Sequence, residues 1–385
     1  MKEDTWGLET KNKKETIKSL LINIIYLLVG GAIGFILPAY YGAFMGPYIK
    51  NGNIFIFLLG IIGMFLILFI GYLVHIIIHE TGHLIFGLLS GYSFISFRIG
   101  PYIIVREKGN LILKKYNLPG TAGQCLMVPP DIENGKYPFL LYNCGGVILN
   151  LLVAIPAIIV GRNVNFPLNA ILIGSGMVGL FIVVTNGIPL IIGGVPNDAH
   201  NVFSIIKDEE AKRSFFIQLK THALQSQGVR IKDMALDTFK LKEDSNLANP
   251  LNTAQRLLEY TWYLDNMDLE NAKKCIDSFK PYFNKIATLF KYEINCERMF
   301  LELVGNCDRD LIDRLYDKNL KKYIKTARFM ISKKRLLMAY EGFYNNSKEK
   351  ALEYYEELKD LASKYPIKGE AAMELMLVDW ISEKL

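Results

Sequence analysis

Hydrophobic residues are concentrated in the first half of the chain, where long apolar runs alternate with short polar stretches. From about Ile205 onward the pattern changes, and Lys, Glu and Asp recur every few residues with helical spacing. A membrane span needs about 20 consecutive apolar residues, whereas an amphipathic helix covers a soluble core with one face. The pattern therefore predicts a membrane-embedded unit followed by a soluble helical unit.

Four apolar runs are long enough to cross a bilayer. They cover residues 20–41, a stretch from near Ile54 into a cluster of histidines, residues 138–161, and about residues 167–194. The first run is too long for the apolar region of a cleaved signal peptide, and no small-residue cleavage site follows it cleanly. We therefore predict a mainly α-helical, polytopic membrane domain with about four transmembrane helices.

Positive charge is unevenly distributed around these runs. Five lysines precede the first run and six Lys or Arg residues lie between the second and third, whereas the other two loops hold only Lys50 and Arg162. Short loops rich in Lys and Arg stay on the cytoplasmic side of a membrane. The N-terminus, the loop at residues 90–137 and the C-terminal half are therefore expected in the cytoplasm. The net charge of +6 belongs to these loops and gives no reason to expect a nucleic-acid partner.

A metal-binding motif closes the second run, where His79, Glu80 and His83 form the pattern H-E-x-x-H. On a helix, residues i and i+4 lie on one face, so both imidazoles can reach a single zinc ion. Glu80 would stand beside that ion without binding it and would take a proton from bound water. Ionisable groups at membrane depth are costly and mark functional sites by default, which argues against a chance match.

Three further residues are candidates for the same site. His75 lies one turn before His79, and it either touches the site or forms a hydrogen bond between helices. A catalytic zinc needs a third protein ligand and an open position. Asp198 and His200 both follow a Pro- and Gly-rich break, and spacing alone does not separate them, because residues two apart in an extended segment face the same way. A carboxylate would partly offset the metal charge, although three histidines also support catalysis.

In these motifs the chain resembles the site-2 proteases, a family of intramembrane zinc metalloproteases. The resemblance covers about residues 54–203, where Asn186, Pro189 and Asp198 are similar to an N-x-x-P motif and a later Asp-Gly motif of the family. Residues 118–130 resemble the segment after the family's membrane-associated β-hairpin. The stretch GGVILN, which ends at Asn150, is similar to its glycine-containing motif ending in a helix Asn.

The resemblance implies a role for each matching residue. His79 and His83 would bind zinc with Asp198 as the third ligand, and Glu80 would be the general base. Asn150 would be a polar partner of the substrate or of active-site water, although an Asn in an apolar helix also forms hydrogen bonds between helices. The same resemblance leaves His200 to orient a ligand or the reacting water.

The chain departs from the family in three ways. Asp198 is followed by Ala199 where the family has Gly, and Pro196 and Asn197 stand in the order opposite to the Asn-Pro-Asp-Gly form found in part of the family. The sequence also leaves no room for an inserted PDZ domain. The device that selects a substrate must then lie elsewhere in the chain.

The loop between the second and third runs holds two segments rich in β-branched and aromatic residues. They are residues 92–105 and 110–118, and the stretch REKGN between them is suited to a turn. This pattern predicts a small membrane-associated β-hairpin. An exposed strand edge can pair with an extended substrate and present its scissile bond to zinc. The alternative is an amphipathic cap on the membrane surface.

The C-terminal half contains an internal repeat. Asn266, Asn306 and Asn346 recur at intervals of 40 residues, each between two amphipathic helical stretches. A repeating helix pair of this kind predicts a soluble α-solenoid of helix hairpins, similar to tetratricopeptide arrays. Because concave solenoid faces bind peptides or proteins, this domain is expected either to bind a protein or peptide partner or to have a purely structural role.

These features predict three parts. Residues 1–19 form a cytoplasmic N-terminal segment, residues 20–204 a membrane-embedded metalloprotease domain, and residues 205–385 a cytoplasmic helical-repeat domain. The expected location is a bacterial cell membrane, with both termini in the cytoplasm.

The expected activity is that of a zinc metalloendopeptidase. Its substrate would be a membrane-spanning segment or a hydrophobic leader or signal peptide, and its other partner the lipid bilayer. The alternative is a non-proteolytic transport, immunity or adaptor protein that uses the helical-repeat domain to bind a partner. A transporter would be expected to repeat its topology in two halves, and no such repeat is evident.

Overall fold

The computed structural model describes residues 54–107, 109–116, 121–131, 137–192 and 194–385, together with Trp6, Gly31, Gly42 and Gly46. Apart from Trp6 and Gly31, the predicted N-terminal segment and the first predicted span lie outside the described residues. The described part of the chain is mainly helical and contains a small antiparallel sheet.

Three helices within the described residues are long and apolar enough to cross a membrane. They are α1 (Ile54–Leu89), α2 (Phe139–Gly161) and α3 (Leu168–Gly187), and they correspond to the second, third and fourth predicted runs. Large apolar side chains such as Phe65 and Phe69 stand exposed on α1. Such an exposed apolar face is compatible with a lipid environment.

The fourth run ends as a helix earlier than the apolar pattern predicts. The helix α3 stops at Gly187, and Ile188 already has an extended backbone. Ile188 precedes Pro189, and the proline ring disfavours the helical conformation of the residue before it. The remaining apolar residues form a short hairpin of β5 (Ile191–Ile192) and β6 (Val195–Pro196).

Three glycines bring α1 and α2 unusually close together. A Cβ atom at Gly82 would collide with the backbone of Gly145, and a Cβ atom at Gly146 would lie 2.5 Å from the imidazole of His79. Small residues allow helix backbones to approach each other in this way. The Gly145-Gly146 pair therefore lets α2 pack directly against the histidine-bearing face of α1.

The loop between α1 and α2 forms four antiparallel strands in the order β3-β2-β1-β4. The strands are β1 (Ser93–Ile99), β2 (Tyr102–Glu107), β3 (Asn110–Lys115) and β4 (Gly123–Val128). The predicted hairpin is present as β2 and β3, but the first predicted segment divides into two strands at Gly100, which has a φ of 54°. The fourth strand, β4, was not predicted. It pairs with β1 and lies at the edge of the sheet beside α1.

The C-terminal half begins with α4 (Asp198–Lys207) and α5 (Glu209–Ser226) and continues as a set of packed helices. The main ones are α6 (Leu236–Phe239), α7 (Pro250–Asp265), α8 (Leu269–Asp277), α9 (Thr288–Val304), α10 (Arg309–Leu315), α11 (Lys318–Thr326), α12 (Ile331–Ala339), α13 (Lys348–Lys364) and α14 (Lys368–Ser382). Met267, Cys307 and Asn346 all have a positive φ at or beside the three predicted repeat positions. The same left-handed turn thus recurs between successive helices.

One hydrophobic core joins the sheet, the start of α2 and the C-terminal helices. Met127 of β4 and Tyr142 of α2 belong to the same buried cluster as Phe215 of α5 and Phe300 of α9. The rings of Tyr142 and Phe215 lie 6.5 Å apart. The helical domain is therefore packed against the predicted catalytic unit.

Candidate metal centre

Three of the predicted site residues converge on one point. The Nε2 atoms of His79 and His83 lie 2.9 and 3.3 Å from Oδ2 of Asp198, and 3.1 Å from each other. One turn of α1 places the two imidazoles side by side, while α4 contributes the carboxylate from a position 119 residues away. These three side chains can hold a metal ion.

The spacing of these atoms fits a tetrahedral metal. A zinc ion bound at about 2.0 to 2.2 Å separates its ligand atoms by roughly 3.3 Å. The three separations of 2.9 to 3.3 Å come close to this value. The donor set of two imidazoles and one carboxylate also matches a catalytic zinc site that keeps one position open.

The hydrogen bond of His83 leaves its ligand nitrogen free to coordinate. Its Nδ1 atom lies 2.7 Å from the carbonyl oxygen of Tyr142, which only accepts hydrogen bonds. Nδ1 must therefore carry the proton, and the neutral ring keeps a lone pair on Nε2. A backbone carbonyl in this role sets both the tautomer and the orientation of a metal-binding histidine.

Asn150 connects the first ligand to His75. Its amide oxygen lies 2.8 Å from Nδ1 of His75, its amide nitrogen lies 3.3 Å from Nδ1 of His79, and the side chain is completely buried. A rotation of the amide by 180° would exchange these two atoms, so that Nδ1–H of His79 donates to the amide oxygen and Nε2 of His79 keeps a lone pair for a metal. Asn150 on α2 therefore bridges to two histidines of α1, as the interhelical alternative expected, and its contact with substrate or water stays a prediction.

Asp198 rather than His200 joins the cluster because of the residue before it. Asn197 caps α4 by accepting from the backbone N–H of His200, and its amide nitrogen donates to the carbonyl oxygens of Thr185 and Ile188 at 2.6 Å each. These bonds fold the start of α4 back onto the end of α3. His200 follows within the helix, and its Nδ1 lies 3.3 Å from Oγ of Ser204. The Pro196-Asn197 order therefore supplies an N-cap.

Two nearby imidazoles change the acidity of the third ligand. Burial acts to raise the pKa of the Asp198 carboxyl, but His83 and His79 hold this pKa below its usual range. Asp198 is therefore ionised at neutral pH, as a metal ligand must be.

Glu80 lies beside the ligands and under the edge strand. A Cβ atom at Gly123, the first residue of β4, would come within 2.6 Å of the Glu80 carboxylate. Only glycine lets the strand backbone pass so close to this side chain. The carboxylate thus lies between the metal ligands and the start of β4.

Arg98 holds this part of the sheet in place, although its position in the sequence marked it only as a loop charge. Its side chain is fully buried and donates to the carbonyl oxygens of Gly100 and Gly123 at 2.9 and 3.2 Å, and to the hydroxyl of Thr121. A buried arginine needs several acceptors to offset its lost hydration. An Arg within the apolar alternation of β1 was the signal that could have identified it.

The ligands and Glu80 line a cleft of about 450 Å³. Residues at the start of β4 form a second wall, and Phe215 and Leu219 of α5 contribute to a third. Neither of these apolar residues was predicted as part of the site. The helical domain therefore supplies part of the cleft, which sequence reasoning had assigned wholly to the membrane domain.

No protein-family model matches the chain, and no curated protein or solved structure matches it either.

Proposed function

We propose that the protein is an intramembrane zinc metalloendopeptidase similar to the site-2 proteases. One observation carries this proposal: His79, His83 and Asp198 present three ligand atoms to one point, with the carboxylate of Glu80 next to them in an open cleft. The three membrane-length helices support a position within a membrane. The substrate would be a membrane-spanning segment or a hydrophobic leader or signal peptide.

A bound zinc ion would lower the pKa of its water to about 7 and polarise the carbonyl of the scissile peptide bond. Glu80 accepts the proton of the attacking water and returns it to the leaving amine. His83 and His79 remain oriented by Tyr142 and Asn150 during this step. The role of His75 is to orient Asn150 from the side away from the ligands.

The edge of β4 is suited to hold the substrate. β4 pairs with β1 on one side, and its first residues line the cleft beside Glu80. An extended peptide that pairs with this edge would bring its backbone to the metal. A helical membrane segment would have to unwind before it binds there.

The alternative function is a non-proteolytic transport, immunity or adaptor protein, in which the helical domain binds a partner. Such a protein has no need for a carboxylate beside three convergent ligands. The proposed orientation, with the C-terminal domain in the cytoplasm, rests on the distribution of Lys and Arg.

The test compares Glu80→Gln with the wild type and with Glu209→Gln, a matched change at an exposed surface carboxylate. Each protein is co-expressed with a panel of single-span proteins and hydrophobic leader peptides, and its zinc content is measured after purification. We expect Glu80→Gln to keep its zinc and to lose activity by at least about a hundredfold, because a general base contributes this much. Comparable cleavage by Glu80→Gln would refute the mechanism.

A further inference from the structure

A strongly basic surface lies on the outer side of α11 and just beyond it. The helix buries Leu320 and Ile324 against the domain core. Its other face exposes four lysines and is followed by an exposed arginine, and no acidic residue occurs between the first and last of these five cations. We call them the basic face: Lys318, Lys321, Lys322, Lys325 and Arg328. The neighbouring salt bridges involve Lys333, Lys334 and Arg335 instead.

The helix that carries the basic face is connected through α9 to the hairpin that follows the membrane-length helix α3. Gly194, in the hairpin after α3, approaches the start of α9 so closely that a Cβ atom there would be 2.7 Å from the backbone nitrogen of Leu289. One helical turn further along α9, about 5 Å, Tyr292 stacks on Tyr323 of α11 with ring centroids 5.0 Å apart. The tyrosine stack therefore ties α11 to the part of α9 that contacts the hairpin after α3.

An exposed aromatic residue accompanies the charge. Phe329 follows Arg328 directly, 39% of its surface is exposed, and the guanidinium lies 4.9 Å from its ring centre. Basic residues interspersed with an exposed aromatic ring are the composition of surfaces that bind the headgroup region of a membrane. Electrostatic attraction to such a surface extends about 8 to 10 Å at physiological salt, so a short separation is required.

We propose that the basic face binds anionic lipid headgroups of the membrane that holds α1 to α3. Headgroups such as phosphatidylglycerol carry the complementary negative charge, and clusters of four or more Lys and Arg next to a span are suited to them. Binding presses the helical domain against the membrane, and through α9 it holds the hairpin that precedes Asp198. The proposal requires only that the chain is embedded in a membrane, and it does not depend on proteolysis.

The test uses the full chain in nanodiscs of phosphatidylcholine alone and in nanodiscs containing 30% phosphatidylglycerol, compositions chosen for the experiment. Amide hydrogen exchange of residues 318–328 is followed in both. We expect exchange to be slower by about fivefold or more with the anionic lipid, and we expect 0.5 M salt to remove this difference, since electrostatic binding is screened.

Two charge-reversal variants separate the basic face from charge in general. The triple variant Lys321→Glu, Lys322→Glu, Lys325→Glu should exchange at the same rate in both nanodiscs. The matched control Lys348→Glu, Lys350→Glu, Lys359→Glu changes exposed lysines of α13 and should keep the difference. The salt measurement on the wild type serves as the check if the first variant fails to fold. The proposal would be overturned if the wild type exchanged at the same rate in both nanodiscs. It would also be overturned if the control variant lost the lipid-dependent difference as fully as the triple variant.

Discussion

Two buried clusters of ionisable side chains in the described part of the chain differ in how their charges are compensated. In the helical domain, Lys333 donates to Glu293 at 2.7 Å, and Arg335 donates to Glu374 and Glu297 at 2.8 and 2.9 Å. Cations and carboxylates alternate there, so the chain neutralises its own charges. At the metal centre, two imidazoles and a carboxylate direct their ligand atoms to a common point.

The comparison separates a structural cluster from a candidate functional one. An ionised group away from water needs a partner, and Arg335 provides a permanent one for two carboxylates. At the metal centre, the carboxylate of Asp198 can be compensated either by protons on the histidines or by a metal ion. Of these two clusters, only the one at Asp198 can therefore exchange protons for a metal ion, and a metal-binding site must be able to do this. High burial and charge are common to both and do not distinguish them.

The largest expected effect is the loss of stability when the buried cluster of the helical domain loses its arginine. Arg335→Met should destabilise the helical domain by about 3 to 5 kcal/mol, because it leaves Glu297 and Glu374 buried without their cation. Denaturant or thermal unfolding of the purified chain measures this loss. Adding Glu297→Gln and Glu374→Gln to the same chain should restore much of the stability. If Arg335→Met alone is as stable as the wild type, the cluster does not contribute in this way.

The next largest effect concerns the affinity of the candidate site for zinc. Asp198→Asn should weaken zinc binding by about a hundredfold or more, because loss of a ligand should cost at least as much as loss of a supporting residue. His200→Ala should retain most of its metal, since Asn197 directs the neighbouring Asp198 into the cluster. Competition with a zinc chelator measures both affinities. Metal lost from His200→Ala and kept by Asp198→Asn would reverse the assignment.

A smaller effect tests the support of the ligands. Asn150→Ala should weaken zinc binding by about tenfold, because it removes the hydrogen bond that orients His79. Asn143→Ala is the matched control on the same helix, since among the described residues its buried amide donates to the carbonyl oxygen of Phe139 and has no hydrogen bond to a predicted ligand. The same chelator competition applies. Equal affinities of the two variants would assign Asn150 a role in helix packing alone.

The smallest expected effect uses pH to probe the helical domain. Burial and the charge of Glu374 raise the pKa of Glu370 to about 8, from an ordinary value of 4.5. Between these values the folded state binds more protons than the unfolded state, so this carboxyl costs stability as the pH rises. Glu370→Gln resembles the protonated form, so its stability relative to the wild type should rise as the pH increases from 5 to 8.5.

This stability difference should disappear at pH 5, where Glu370 is protonated in the folded wild type. Thermal unfolding at pH 5, 7 and 8.5 measures it, and Glu349→Gln, an exposed change on α13, should show no such trend. A difference that is constant across these pH values would contradict the raised pKa.

The sequence by itself determined the features that depend on local periodicity. The interval of four residues between His79 and His83 brings two imidazoles to one face of a helix, whatever the rest of the chain does. Continuous apolar runs likewise predicted α1, α2 and α3, and alternating aromatic and β-branched residues predicted the hairpin of β2 and β3. The first predicted span lies outside the described residues, and the solenoid arrangement of the helices stays a prediction.

Only the tertiary structure decided which distant residues complete the site. Asp198 and His200 were equivalent by spacing, and the Asn197 amide, bonded to the end of α3, selected the first. The local sequence pattern likewise did not predict that β4 passes close to Glu80. Such contacts join residues far apart in sequence, and they follow from how whole elements pack. Phe215 lines the cleft because α5 packs against the start of α2, a contact between elements that are far apart in sequence.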